Sequence, residues 1–261
     1  MSRTVRRIHI LGCHFDVVTE AEAVDRILGW SNEPERRTHT VITVNVAILM
    51  MMRSNHKLTK AVANADLVVA DGTPLVWASR WLNRRLPERV SGVDLMLRLL
   101  EKAPQNSRVY LLGTTQERLE SLVRTIKDRY PGVLVVGARN GYFGPSEYPE
   151  VARHIRNSRS DLLLVGMPAP FKETWCEEQR SALQVPAVLG VGGAFDVIAG
   201  FVRRAPKIMQ RAGLEWLWRL AMEPRKLWKR YLVTNLQFIA LLATELISSA
   251  LKRSTDPTSR T

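Results

Sequence analysis

The chain is poor in the residues that build common cofactor and metal sites. It has two cysteines, Cys13 and Cys176, in 261 residues. That excludes a disulfide framework, neither stands in a CxxC or metal-ligand spacing, and the usage suggests a reducing compartment. No Asp-x-Asp occurs, so a carboxylate pair holding a divalent metal on a diphosphate is not signalled. The GxGxxG fingerprint and the Walker sequence are also missing. Without the glycine fingerprint, an NAD-type oxidoreductase is disfavoured. The early apolar run, Ile8 to Cys13, is broken by His9 and is too short for the core of a signal peptide.

Acidic residues are scarce, 25 against 38 Lys and Arg, for a net charge of +13. The excess is local. Between Arg203 and Arg230, nine Lys/Arg stand against Glu215 and Glu223, a balance of +7, with Trp216, Trp218 and Trp228 interleaved. Basic residues mixed with tryptophan point to nucleic acid or to an anionic membrane surface. A merely solvated basic face fits clustered tryptophans poorly.

What is present is an ordinary globular composition, 46% hydrophobic and 24% charged, with ample chain to bury a core. Short apolar runs alternate with helical patterns. Arg7–Gly12 and His14–Val18 read as a hairpin, and Thr19-x-x-Glu22 as a capping box opening a helix to Trp30. His39–Val44 and Leu67–Ala70 are strands joined by helical pieces. Further strands at 108–112, 133–136, 161–165 and 187–191 alternate with helices at 116–130, 147–158 and 172–183. The pattern predicts an α/β fold, a Rossmann-like, mostly parallel sheet with helices on both faces. Residues 1–200 form the α/β domain, 201–253 a basic, Trp-rich helical appendage, and 254–261 a disordered polar tail. Residues 232–251 are apolar enough to raise the question of a membrane span. Glu245 at depth would cost about 2.5–3.5 kcal/mol on insertion scales for comparable charges, so an amphipathic helix on the body, on a partner subunit or along a membrane interface is the reading.

Ligands of open parallel sheets bind at the carboxyl ends of the strands. Asp71 stands there, after Leu67–Ala70 and before Gly72-Thr73-Pro74. A half-desolvated carboxylate at this place suits a general base; the alternative is a helix cap or an Asx-turn. Thr43 and Asn45 end the preceding strand. Three later strands end in glycine, which lets phosphate approach backbone N–H groups, although glycine is also simply a good turn residue.

The order of motifs resembles one family, the WecG/TagA/CpsF glycosyltransferases (glycosyltransferase family 26). The matching residues are Thr43-x-Asn45, Ala70-Asp71-Gly72, Glu88-Arg89-Val90-Ser91-Gly92-Val93-Asp94, Leu111-Leu112-Gly113 and Asn140-Gly141-Tyr142-Phe143. Gly166, Pro170-Phe171-Lys172-Glu173, Gly190-Val191-Gly192-Gly193-Ala194-Phe195-Asp196, Arg204-Ala205-Pro206 and Gly213-Leu214-Glu215-Trp216 follow in order. The resemblance implies an inverting transferase. Such an enzyme moves a hexose-type sugar, such as glucose, N-acetylmannosamine or its uronic acid, from a UDP-sugar to a polyprenyl-diphosphate-linked sugar. It works peripherally at the cytoplasmic face of the inner membrane, in synthesis of exopolysaccharide and other cell-surface polymers. It implies no cofactor and no metal, with an anionic membrane surface and a possible homo-oligomer as partners, and no nucleic acid.

On the same resemblance Asp71 matches the catalytic base. Thr43, Asn45, Arg89, Gly113, Asn140, Gly141, Gly166, Lys172, Glu173 and Gly192 match substrate-binding positions. Arg219, Arg225 and Arg230 are candidates for the lipid diphosphate. One departure stands out: Lys172 occupies the place of a family glutamine. Lys172 either meets a donor phosphate or a sugar carboxylate, or pairs with Glu173 or solvent. The competing reading of the whole chain is a non-catalytic basic protein that binds anionic membrane or nucleic acid through residues 203–230.

Overall fold

The computed structural model describes residues 5–222 and 224–254, the side chains of 211, 226, 230, 250 and 252–254 excepted. Strands β1 (Arg7–Ile10) and β2 (Cys13–Asp16) pair antiparallel. Leu11 and Gly12, both at positive φ, form their two-residue turn, the geometry that matches strand twist. Helix α1 (Glu20–Gly29) starts at Thr19, whose side chain caps it in a reciprocal box with Glu22. Then come β3 (His39–Val44), α2 (Val46–Met52), α3 (His56–Asn64), β4 (Leu67–Ala70), α4 (Thr73–Trp81), α5 (Gly92–Lys102), β5 (Ser107–Gly113), α6 (Gln116–Arg129) and β6 (Val133–Arg139). After these run α7 (Tyr148–Asn157), β7 (Leu162–Gly166), α8 (Phe171–Glu178), α9 (Arg180–Leu183), β8 (Ala187–Gly190) and α10 (Ala194–Ile198). The chain closes with α11 (Lys207–Arg211), α12 (Glu215–Met222) and α13 (Pro224–Ser254). The helix expected over 172–183 is two helices, because Gln179 leaves the helical backbone between them.

Six strands form one parallel sheet in the order β4-β3-β8-β7-β5-β6. Its central strands are apolar on both faces, as a sheet covered by helices on each side requires. Val41, Val69, Leu111, Leu164 and Leu189 pack against α1, α5, α6 and α10. Ile42, Val44, Val68 and Ala70 point the other way, to the hairpin, α2, α3 and α4. Tyr110, Leu163, Val165 and Val188 share that second face with α7, α8 and α9.

Helix α13 lies on the second face. Leu227, Thr234, Phe238 and Leu242 are buried among its described residues, spaced to form one stripe, with Phe238 and Leu242 joining the core around α2. Leu232, Leu236, Ile239 and Ile247 are exposed. Leu227–Ser249, 23 residues of mean hydropathy 1.4, is long and apolar enough to cross a membrane by length and composition. Its buried stripe packs on the body, and Glu245 lies 3.6 Å from Arg84. The tail assigned to disorder lies, from residue 255, outside the described residues.

Candidate active site

All six sheet strands deliver their carboxyl ends to one edge. At the end of β4, Asp71 is half-buried, and its backbone N–H donates to Val44 O at 2.8 Å. Helix α4 takes Gly72 as its N-cap and has no side-chain cap, so Asp71 is not spent on capping. Its carboxylate accepts the backbone N–H of Gly92, at the start of α5. A Cβ at Gly92 would lie 3.3 Å from Thr43 Oγ1 and 3.9 Å from Asp71 Oδ2. Thr43, Asp71 and the first turn of α5 thus meet at one point. Burial pushes the Asp71 carboxyl above the usual range. Arg89 opposes this, Glu215 adds to it, and the Gly92 N–H and Arg219 oppose it.

Arg89 is not a free surface cation. Its guanidinium donates to Glu215 at 2.6 Å and lies 3.4 Å from Asp94. Arg204 pairs with Asp94 at 2.6 Å and reaches Glu215 at 3.5 Å. These four half-buried side chains lock the start of α12 to the loop before α5 and to α5 itself. Gly213 strengthens the junction. It sits at φ +72°, and a Cβ there would come within 2.6 Å of Thr73 at the start of α4. The appendage is therefore docked directly beside Asp71. Helix α12 also extends Arg219 over the end of β8, where its guanidinium rests on the backbone of Gly193.

A second cluster lies farther along the edge. The connection after β5 runs outward to β6, while that after β7 returns to β8, so the topological switch point, where such sheets take nucleotides, lies between the ends of β5 and β7. Gly113 pairs with Gly166 there, and a Cβ on Gly113 would stand 2.5 Å from the Gly166 carbonyl. Gly141 joins them, donating its N–H to Thr114 O at 3.0 Å. Asn140 accepts the Tyr142 N–H at 3.1 Å. Gly192, at φ +54°, ends the neighbouring β8 loop. Thr114 Oγ1 donates to Asp196 at 3.1 Å, and Arg118 pairs with Asp196 at 2.8 Å. Asp196, Thr114 and Arg118 tie the β5 and β8 loops together across the switch point. Sequence reasoning missed all three, and Asp94, Arg204 and Glu215, although Asp94, Asp196, Arg204 and Glu215 stood inside matched motifs.

Several of the candidate residues have partners within the protein. Asn45 caps α2, its side chain accepting the Ile48 N–H at 3.0 Å. Arg89, taken for a substrate contact, is engaged with Glu215 and Asp94. Lys172 is 6% and Glu173 4% exposed, and they pair with each other. The Lys172 stem lies 3.0 Å from where a Gly190 Cβ would be, beneath β3 and β8. In this structure Lys172 thus takes the partner offered by the neighbouring Glu173. Arg225 is exposed on the first turn of α13, and the Arg230 side chain lies outside the described residues. Among the described residues no three His, Cys, Asp or Glu side chains gather as metal ligands.

An open parallel sheet with glycines at its switch point and a half-buried carboxylate farther along the same edge is an α/β scaffold of the kind that binds ligands at the carboxyl ends of its strands. The chain belongs to the WecG/TagA/CpsF glycosyltransferase family, whose profile matches residues 8–252. A Staphylococcus aureus (strain MW2) N-acetylglucosaminyldiphosphoundecaprenol N-acetyl-beta-D-mannosaminyltransferase is 31% identical over 225 residues, 86% of each chain. The protein of the same name from Bacillus spizizenii is 30% identical over 210 residues, 80% of each.

Proposed function

We propose that this glycosyltransferase moves a hexose-type sugar, N-acetylmannosamine first among the candidates, from a UDP-sugar to a polyprenyl-diphosphate-linked sugar, with inversion and with Asp71 as the base. The observation that carries the reading is Asp71 itself, a half-buried carboxylate of raised pKa at a strand end, beside Thr43 and under the docked appendage. The relatives' names give the acceptor class and a β-linked product. From an α-linked nucleotide sugar, a β-linked product requires a single inverting displacement.

In that displacement the acceptor hydroxyl oxygen forms the new bond to the anomeric carbon. Asp71 takes the hydroxyl proton. The bond to the β-phosphate oxygen breaks, and UDP leaves with the electron pair. The donor nucleotide occupies the Gly113–Gly166 switch point. Asp71 lies three strand spacings away, roughly 14 Å at about 4.8 Å each, so the diphosphate runs along the sheet edge towards it. Arg219, resting on Gly193 between the two, meets the charge that develops on the leaving phosphate. Thr43 orients the acceptor hydroxyl at Asp71. Arg225 and Arg230 hold the lipid diphosphate at the membrane side. The protein works peripherally at the cytoplasmic membrane face, where such lipid-linked sugars are reached from the nucleotide-sugar pool.

The test is transfer of labelled sugar from a panel of UDP-sugars to polyprenyl-diphosphate-sugar acceptors, wild type beside Asp71→Asn. Transfer from one donor, lost in Asp71→Asn with UDP still bound, supports the whole reading. Full transfer by Asp71→Asn removes the base. No transfer from any donor with membranes present removes the reaction.

A further inference from the structure

We propose that α4 carries a second lipid-facing surface, which binds anionic phospholipid headgroups and seats the catalytic body on a membrane apart from the basic appendage. Helix α4 turns Leu75, Val76, Ala78 and Ser79 inward. Trp77, Arg80 and Trp81 follow at i, i+3 and i+4, the spacing of one helix face, and Arg84 lies just past the end of the helix. Trp77 is 42% and Trp81 58% exposed, one turn apart. No acidic residue occurs from Gly72 to Pro87, so the segment holds no counter-charge of its own. Arg84 is already committed, donating to His9 O at 2.7 Å and pairing with Glu245 on α13. Arg80 and Arg85 have no ion-pair partner among the described residues. They line a cleft of about 540 Å³ floored by Val17, Leu86 and Pro87.

Indole rings with arginines beside an apolar floor suit the headgroup layer. The rings enter the boundary region, and the guanidinium groups meet phosphate there. A nucleic-acid strand would also use tryptophan and arginine. The neighbouring α13 decides for lipid. Arg84 joins α4 to it, and its exposed side is aliphatic, with Leu236, Ile239 and Ile247 uncovered, a surface that bases cannot stack on. The inference rests on the proposed function in one respect. Asp71 precedes α4 by a single residue, so a headgroup-bound α4 holds the site where a lipid diphosphate lies.

The experiment is sedimentation of the full chain with vesicles of phosphatidylcholine alone or mixed with phosphatidylglycerol. Arg80→Gln/Arg85→Gln is expected to bind the anionic vesicles about thirty-fold more weakly, following roughly 1 kcal/mol per surface cation, with neutral vesicles unaffected. Trp77→Ala/Trp81→Ala is expected to weaken binding to both and to reduce the blue shift of tryptophan emission. Unchanged UDP binding shows that each variant is folded. Wild-type vesicle binding by both double variants overturns the proposal. So does a loss seen only with an RNA oligonucleotide, or only in self-association by sedimentation. Transfer to a short-chain, water-soluble acceptor is expected to survive in both. Its failure in the wild type would count against the reaction and leave the vesicle result standing.

Discussion

Asp66 and Asp71 flank the same four-residue strand, β4, and are treated in opposite ways. Asp66, at the amino end, accepts the Thr40 N–H at 2.9 Å, lies 3.3 Å from His39 Nδ1 and 3.7 Å from Arg37, and pairs closely with Arg180. Asp71, at the carboxyl end, has one backbone N–H and only the longer-range field of Arg89 and Arg219. The nearby cations are diverted: Arg89 is taken by Glu215 and Asp94, and Arg219 rests on Gly193. A saturated carboxylate staples an edge. An under-partnered one stays available to take a proton. The fold spends its ion pairs on closing the amino edge and on docking the appendage, and leaves the carboxylate between them short of partners.

The largest effect expected is from Asp71→Asn. Transfer should fall about a thousand-fold, in the range for loss of a general base, while UDP binding persists. The same change should raise the melting temperature by about 2 °C. A carboxyl whose folded pKa is raised contributes its stabilisation when protonated and loses it as pH rises through that pKa, so ionised Asp71 costs stability at neutral pH. Calorimetry that finds Asp71→Asn destabilised would break the contrast. Asp66→Asn should do the reverse. Arg180 would keep Thr38 O, Asn64 O and Glu177 but lose its close carboxylate, at a cost of about 1–2 kcal/mol, with transfer unchanged below the melting transition.

Arg89→Gln is expected to come next, at about 2 kcal/mol, because half-buried Glu215 keeps only the longer contact to Arg204 at 3.5 Å. It should appear as faster limited proteolysis before α12 and about ten-fold weaker transfer. If proteolysis were unaltered, the four-residue lock would not be what holds the appendage. The smallest effect should come from Glu215→Gln. Removing that negative charge lowers the Asp71 pKa, so the acid limb of the transfer rate should move to lower pH. A shift to higher pH would mean that Glu215 acts mainly by holding Arg89 away.

Much of this was legible in the chain. The Thr19–Glu22 box, the β-branched run of β3 and the apolar run of β4 each carry their own local cause, and the glycines at strand ends marked the switch point. Asp71 was legible as a strand-end carboxylate, but that it does not cap α4 could be read only from the structure, where Gly72 takes that place. That Asn45 caps α2 could likewise be read only from the structure. The Arg89–Glu215 bond joins residues 126 apart in sequence, and no local pattern encodes such a pair. Lys172 and Glu173 are neighbours in sequence, yet whether they faced a substrate or each other depended on how α8 lies against β3 and β8.

The sequence by itself determined the succession of strands and helices, the parallel sheet with its ligand edge, and the identity of the carboxylate at that edge. Period, capping and turn chemistry are properties of neighbouring residues. Only the tertiary structure decided which cations Asp71 keeps, that Glu215 and Arg219 arrive from the appendage to set its charge, and that Trp77 and Trp81 stay uncovered on α4. Those outcomes depend on burial and on distance through space. The packing of α12 and α13 against the sheet fixes both.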